Sequence, residues 1–197
     1  MATYLFTFYC TFLVVLFVMP SYRTYKKTGI NPFKFTKDET AINYVGKAYK
    51  IISAIAFITI TLNAFLPRAM QYLATIEYLK SDIIVWIGFG FLHLAFLVIF
   101  IAQRNMANEW RIGIDDENKV NLITKGLFGI SRNPIFLGVL IAFVGMFLII
   151  PNAVTFVILI SGFIVIQVQV RLEEEFLIKQ LGEEYIVYMN NVKRWLI

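Results

Sequence analysis

Histidine, cysteine and charge are what this sequence has least of. Cys10 is its one cysteine and His93 its one histidine, so no internal disulfide can form and a structural zinc site has too few ligands. Charged residues make up only 16% of the 197, against 59% hydrophobic, a balance that no ordinary soluble domain carries. Nucleotide-type glycine patterns are almost absent as well. Gly88-Phe89-Gly90 lies inside an apolar run with no strand before it, which excludes a dinucleotide fingerprint. The first apolar run has no basic region ahead of it, and Met19-Pro20-Ser21 lacks a small-residue cleavage site. It reads as a retained anchor rather than a removed signal peptide.

What is there instead is a series of five apolar runs: Tyr4 to Met19, Tyr49 to Leu66, Ile83 to Ala102, Ile135 to Ile150 and Ala153 to Val170. Each approaches the roughly 17 to 25 residues that a helix needs to cross a bilayer, the first and fourth at the short end. The expected fold is an all-α polytopic membrane protein with about five transmembrane helices, ending in a helical hairpin and a cytoplasmic helix. Residues 1–103 form a three-span membrane region in this reading. Residues 104–197 add a polar loop, Gln103 to Asn133, the hairpin turned at Pro151-Asn152, and a helical tail reaching about Asn190. Between the first two spans, Gly29, Asn31 and Pro32 break any long helix. The loop Pro67 to Asp82 has room for a short interfacial helix with Tyr72 and Tyr78 at the headgroups.

Of the 18 lysines and arginines, only Arg68 and Lys80 fall in that loop, while sixteen flank the opposite ends of the runs. This bias puts the N-terminus outside and the C-terminus in the cytoplasm. It also explains the net charge of +5 without nucleic acid, because the basic residues are topological and no base-reading motif accompanies them. Membrane lipids with anionic headgroups are the natural neighbours. His93, in the middle of the third run, reads as a structural imidazole bonded within the bundle rather than a proton relay.

The stretch Ser131-Arg132-Asn133-Pro134 carries more chemistry than a membrane boundary needs. Asn133 can serve as an N-cap and Pro134 as the first helical residue, leaving free amides and the Arg132 charge at a helix start, an arrangement that attracts anions. Counted from the hairpin turn, Arg132 lies about nineteen residues back and Glu173 and Glu174 about 21 or 22 forward, a depth mismatch of roughly 3 to 5 Å. The basic and acidic groups therefore emerge at one membrane level on adjacent helices. Helical spacing puts Glu174 on a face with Leu177, Ile178 and Leu181, and with Arg171 and Gln167 behind it. Glu175 precedes Lys179 by four and reads as an exposed ion pair.

The two segments LITKGLFGISRNPIFLG and RLEEEFLIKQLGEEYIVYMNNVKRWL resemble the isoprenylcysteine carboxyl methyltransferase and phospholipid methyltransferase superfamily of integral membrane enzymes. The likeness covers about Asn108 to Leu196. It implies S-adenosylmethionine bound at the cytoplasmic ends of the last two spans. By the same resemblance Leu122, Thr124, Gly126 and Phe128 line the nucleoside side, and Arg132, Asn133 and Pro134 meet the methionyl end. Glu173 and Glu174 match the acidic pair that holds the cofactor. Tyr185, Tyr188 and Arg194 match the tail motif, with Arg194 a substrate contact and Arg132, Glu174 and Arg194 the expected catalytic set. Asn133 stands where the family usually has His, and Phe136 where it often has Tyr. Asn carries no proton at neutral pH, so a mechanism that needs His at that position is excluded.

The function these readings imply is S-adenosylmethionine-dependent methylation of a lipophilic acceptor that enters from the bilayer. Without a cytoplasmic histidine, Arg132 and Arg194 favour an anionic acceptor, a carboxylate of the isoprenylcysteine type or a thiol, over the amine of a phospholipid. The rivals are a non-catalytic lipid-binding or scaffolding protein with a structural polar cluster, and a related reductase that uses a nicotinamide.

Overall fold

A helix that is apolar all round has no wet face, and the long helices of this structure are largely of that kind. The computed structural model describes residues 1–29, 31–32, 39–106 and 121–196; Lys34, Lys37 and the first part of the loop after the third run lie outside them. The described helices are α1 (Ala2–Leu13), α2 (Met19–Thr28), α3 (Ala41–Phe65), α4 (Asp82–Met106), α5 (Pro134–Ile149), α6 (Ala153–Leu181) and α7 (Glu183–Asn191). No strand occurs among the described residues, where only two isolated bridges pair extended backbone. The protein is an all-α polytopic membrane protein.

Each apolar run becomes a helix, with changed lengths. The first continues well past Met19, because α1 and α2 join through a π-helical turn, Val14–Val18, into one rod from Ala2 to Thr28. A π turn displaces the backbone pairing by a residue, and the side-chain amide of Gln103 on α4 donates to the Leu16 carbonyl within it. The rod ends where Gly29 takes a left-handed conformation, as the Gly-Asn-Pro signal predicts. The fourth run is the short one: α5 has 16 residues, or about 24 Å of rise, below a typical hydrocarbon thickness. Among the described residues, four helices are long and apolar enough to cross a membrane by length and composition, and α5 is a shorter apolar helix beside them.

The tightest seam joins α4 to α5. A Cβ on Gly88 would come within 2.9 Å of the Gly145 carbonyl, and one on Gly145 within 2.8 Å of the Gly88 carbonyl, so these backbones touch. The Gly-Phe-Gly stretch thus serves helix packing at Gly88, the contact that substitutes for hydrophobic association in lipid. α3 packs on α1 and α6, and α5 on α6. Leu5, Ile60, Phe89, Met146 and Ile158 meet in the shared core. Ile83, Trp86, Ile87 and Leu94 on α4 face outward, the surface that lipid would cover.

His93 makes the intrabundle bonds expected of a structural imidazole. Its Nδ1 lies 2.7 Å from the Phe89 carbonyl and its Nε2 lies 2.8 Å from the Tyr4 hydroxyl, tying α4 to α1. Between α3 and α4, where a short interfacial helix is expected, the chain forms two short 3-10 helices, Pro67–Leu73 and Glu77–Leu79. Thr75 there pairs with Asn152 at the hairpin turn. Asn152 caps α6 in a reciprocal capping box with Thr155. At the far end the chain stays helical to Asn191, as expected, but in two pieces: α6 stops at Leu181 and α7 takes over at Glu183. Gly182 takes φ 56° and ψ −125°, a conformation reserved for glycine, and turns the chain into α7. That bend brings the tail back to the start of α5.

Candidate active site at the base of the hairpin

The matched depths of Arg132 and the glutamates translate into direct bonds. Glu174, buried on α6, accepts from Arg132 Nε at 3.0 Å and from Arg194 Nη2 at 2.6 Å and Nε at 3.0 Å. Arg132 Nη1 also donates to the carbonyls of Met189, at 3.0 Å, and Val192, at 2.8 Å. One carboxylate therefore clamps two guanidinium groups from the start of α5 and the tail. The Glu174 hydrogen bond holds the Arg194 guanidinium above its ordinary pKa, so it stays charged. Arg171, expected to share the Glu174 face, instead folds onto Gln167 at 2.7 and 2.9 Å on the exposed side. Glu175 makes the expected exposed ion pair with Lys179, at 2.9 Å.

The tail is stitched to the loop before α5 by backbone as well. Ser131 and Lys193 form a parallel bridge, with Arg132 N donating to the Lys193 carbonyl at 2.9 Å. The Tyr188 hydroxyl donates to the Phe128 carbonyl at 2.6 Å, and burial pushes its pKa up to about 12, so it remains a donor. Tyr185 lies buried beside it, its pKa also raised by burial.

Asn133 does not act as the cap its position suggests. No side-chain cap bond forms; its Nδ2 donates to the Arg194 carbonyl at 3.2 Å, and its backbone N donates to Ser131 Oγ at 3.2 Å. The tail carbonyl competes successfully for the Asn side chain because the Ser131–Lys193 bridge has already brought it there. A role as donor reverses the mutational expectation. Asn133→Asp, which a cap would tolerate, should put a carboxylate oxygen against a carbonyl and cost about 1 to 3 kcal/mol in detergent unfolding; stability equal to wild type would restore the cap.

Above the clamp lies a cavity of about 550 Å³ between α1 and α3 on one side and α5 and α6 on the other. Its body is apolar, lined by residues such as Leu5, Phe12, Ile60 and Met146. Its polar end is bordered by Tyr49, Lys50, Arg132, Asn133, Gln169 and Glu173. Of the residues singled out from sequence, Phe128, Arg132, Asn133, Pro134, Phe136 and Glu173 reach this cavity. Leu122, Thr124 and Gly126 lie in the segment leading to it, and Glu174 and Arg194 form the clamp behind it. Gly126 packs so closely that a Cβ would fall 2.3 Å from Asn105 Oδ1, whose oxygen accepts from Leu127 N.

Glu173 differs sharply from its neighbour. Its hydrogen-bond partner among the described residues is Gln169 Nε2, at 2.6 Å, and it has no ion pair there. Sequence reading passed over Gln169 and Tyr49, although Gln169 stands four residues before Glu173 in an otherwise apolar run, the spacing of a helical side-chain pair. No group of three or more metal-ligating side chains occurs among the described residues.

No curated protein is matched, but the family model described as phospholipid methyltransferase matches residues 83–184. The match begins in α4, runs through the α4–α5 seam, the hairpin, Glu173 and the clamp residue Glu174, and ends just past Gly182. It covers more than half of the sequence: this chain belongs to the phospholipid methyltransferase family, within the wider superfamily that includes isoprenylcysteine carboxyl methyltransferases.

Proposed function

We propose that the protein transfers a methyl group from S-adenosylmethionine to the amine of a membrane lipid, with the polar end of the cavity on the cytoplasmic side. The observation that carries this reading is Glu173, a carboxylate on the wall of an apolar cavity with no cation paired to it among the described residues. Burying such a charge is costly unless something positive joins it.

The residues at the polar end suit the donor. S-adenosylmethionine has a carboxylate and two positive groups, and its sulfonium supplies an electrophilic methyl. Because Asn133 makes no cap bond, the first amides of α5 are left for an anion, beside Arg132. Glu173 faces the same space and suits a positive charge. A volume of about 550 Å³ falls within the range of ligand sites.

The acceptor is where the geometry moves the balance. Arg132 and Arg194, the two residues that favour an anionic acceptor, direct most of their donors to Glu174 and to backbone carbonyls. An amine arrives as an ammonium and must lose a proton before its lone pair can attack. Glu173 can take that proton, and it also relieves the repulsion between the ammonium and the sulfonium. The bundle meanwhile excludes water and holds the reacting groups in line. The test is to supply methyl-labelled S-adenosylmethionine with native lipids and treat the product with alkali. Label retained in a lipid headgroup as N-methyl supports the amine; label released as methanol identifies an ester and returns the acceptor to the isoprenylcysteine-like carboxylate. Binding of S-adenosylhomocysteine but not of NADPH separates this reading from a reductase.

A further inference from the structure

Three buried side-chain polar atoms lack a hydrogen-bond partner among the described residues: Tyr49 Oη, Gln169 Oε1 and Asn152 Nδ2. Asn152 is at the hairpin turn. The other two come from different helices, α3 and α6, and border the polar end of the cavity described above. Gln169 is only 2% exposed, and its orientation is set by Glu173, which takes its Nε2 hydrogen and leaves Oε1 as a bare acceptor. Tyr49 offers the complement, an O–H donor with nothing to receive it. Leaving two such groups unpaired next to each other's helix costs free energy that a fold has no reason to bear unless a ligand completes them.

We propose that Tyr49 and Gln169 form the headgroup-reading pair of the acceptor site, a conclusion that rests on the methyl transfer proposed above. A ligand that satisfies both must present an N–H or O–H hydrogen to Gln169 Oε1 and an oxygen to the Tyr49 hydroxyl. A lipid amine with a phosphate a few bonds away meets that requirement. Glu173, bonded to Gln169, then lies next to the nitrogen being read. Gln169 lies inside the family match and Tyr49 well before it, so one half of the pair is assigned to a helix outside the matched methyltransferase segment. Lipids whose nitrogen is fully methylated have no hydrogen for Gln169 and are released.

The experiment uses the full-length protein, delipidated in detergent, with phosphatidylethanolamine and phosphatidylcholine as probes. Wild type, Tyr49→Phe and Gln169→Met are compared for lipid retention, for KM toward phosphatidylethanolamine, and for S-adenosylhomocysteine affinity. Each variant is expected to raise the lipid KM about tenfold, the effect of one lost hydrogen bond, and to reduce the preference for phosphatidylethanolamine over phosphatidylcholine. S-adenosylhomocysteine affinity should stay at the wild-type value, which also shows that the variants fold. Unchanged lipid KM and preference in both variants, with wild type active, overturns the pair and leaves the methyl transfer standing. A fall in S-adenosylhomocysteine affinity instead puts Tyr49 and Gln169 on the donor and overturns their role as readers. A wild type that retains phosphatidylethanolamine through Tyr49 but transfers no methyl supports the site and refutes the chemistry; one that does neither overturns both.

Discussion

Glu174→Gln should lower stability by about 3 kcal/mol, because two arginines lose the carboxylate they share inside the protein. The value sits at the low end for a broken buried pair, since the Arg194 side chain keeps a third of its exposure and water recovers part of its charge. The damage should be local first. With Arg132 and Arg194 released, the bonds from Arg132 to the Met189 and Val192 carbonyls lose their anchor, and the tail beyond Gly182 should become sensitive to protease before the membrane helices unfold. Glu175→Gln, which breaks only the exposed pair with Lys179, should change neither measurement. Equal protease resistance of wild type and Glu174→Gln would mean that the tail is held by the Ser131–Lys193 bridge without the clamp.

Glu173→Gln should behave in the opposite way. Replacing a half-buried carboxylate that has no ion pair among the described residues with a neutral amide removes a desolvation cost, so the melting temperature should hold or rise. Methyl transfer, however, should fall by about 10²- to 10⁴-fold, the usual loss when a general base is removed. S-adenosylhomocysteine has no sulfonium charge and should bind as before, whereas S-adenosylmethionine should bind more weakly. Residual transfer at the wild-type rate would assign the proton to another group. Adjacent glutamates would then be distinguished by opposite phenotypes: one that loses the fold, one that loses the reaction.

Much of this separation was legible in the sequence. The depth count from Pro151-Asn152 set Arg132 level with the glutamates, and the four-residue spacing set Glu175 apart with Lys179. Both depend only on the regular rise and turn of a helix. What stayed hidden depends on direction around the axis. In α3 and α6 apolar residues cover every face, so no amphipathic stripe tells which way Tyr49 or Gln169 turns. Asn133 misled for a different reason: its local sequence is that of a cap, and only the returning tail, 61 residues later, supplies the carbonyl that takes its side chain. The π turn between α1 and α2 has no sequence signature at all, since its partner is Gln103 on another helix.

The apolar body of the cavity carries a thermodynamic consequence for any lipid that enters it. A tail leaving the bilayer for Leu5, Phe12, Ile60 and Met146 exchanges one hydrocarbon medium for another, so the transfer that drives binding in water contributes almost nothing here. Every bilayer lipid and every detergent molecule is then an equal competitor for that space. Occupancy must follow the mole fraction of acceptor in the surrounding amphiphile rather than its bulk concentration, and apparent affinity must fall as detergent is added at constant acceptor. Selectivity is left entirely to the few polar atoms at the cavity's end.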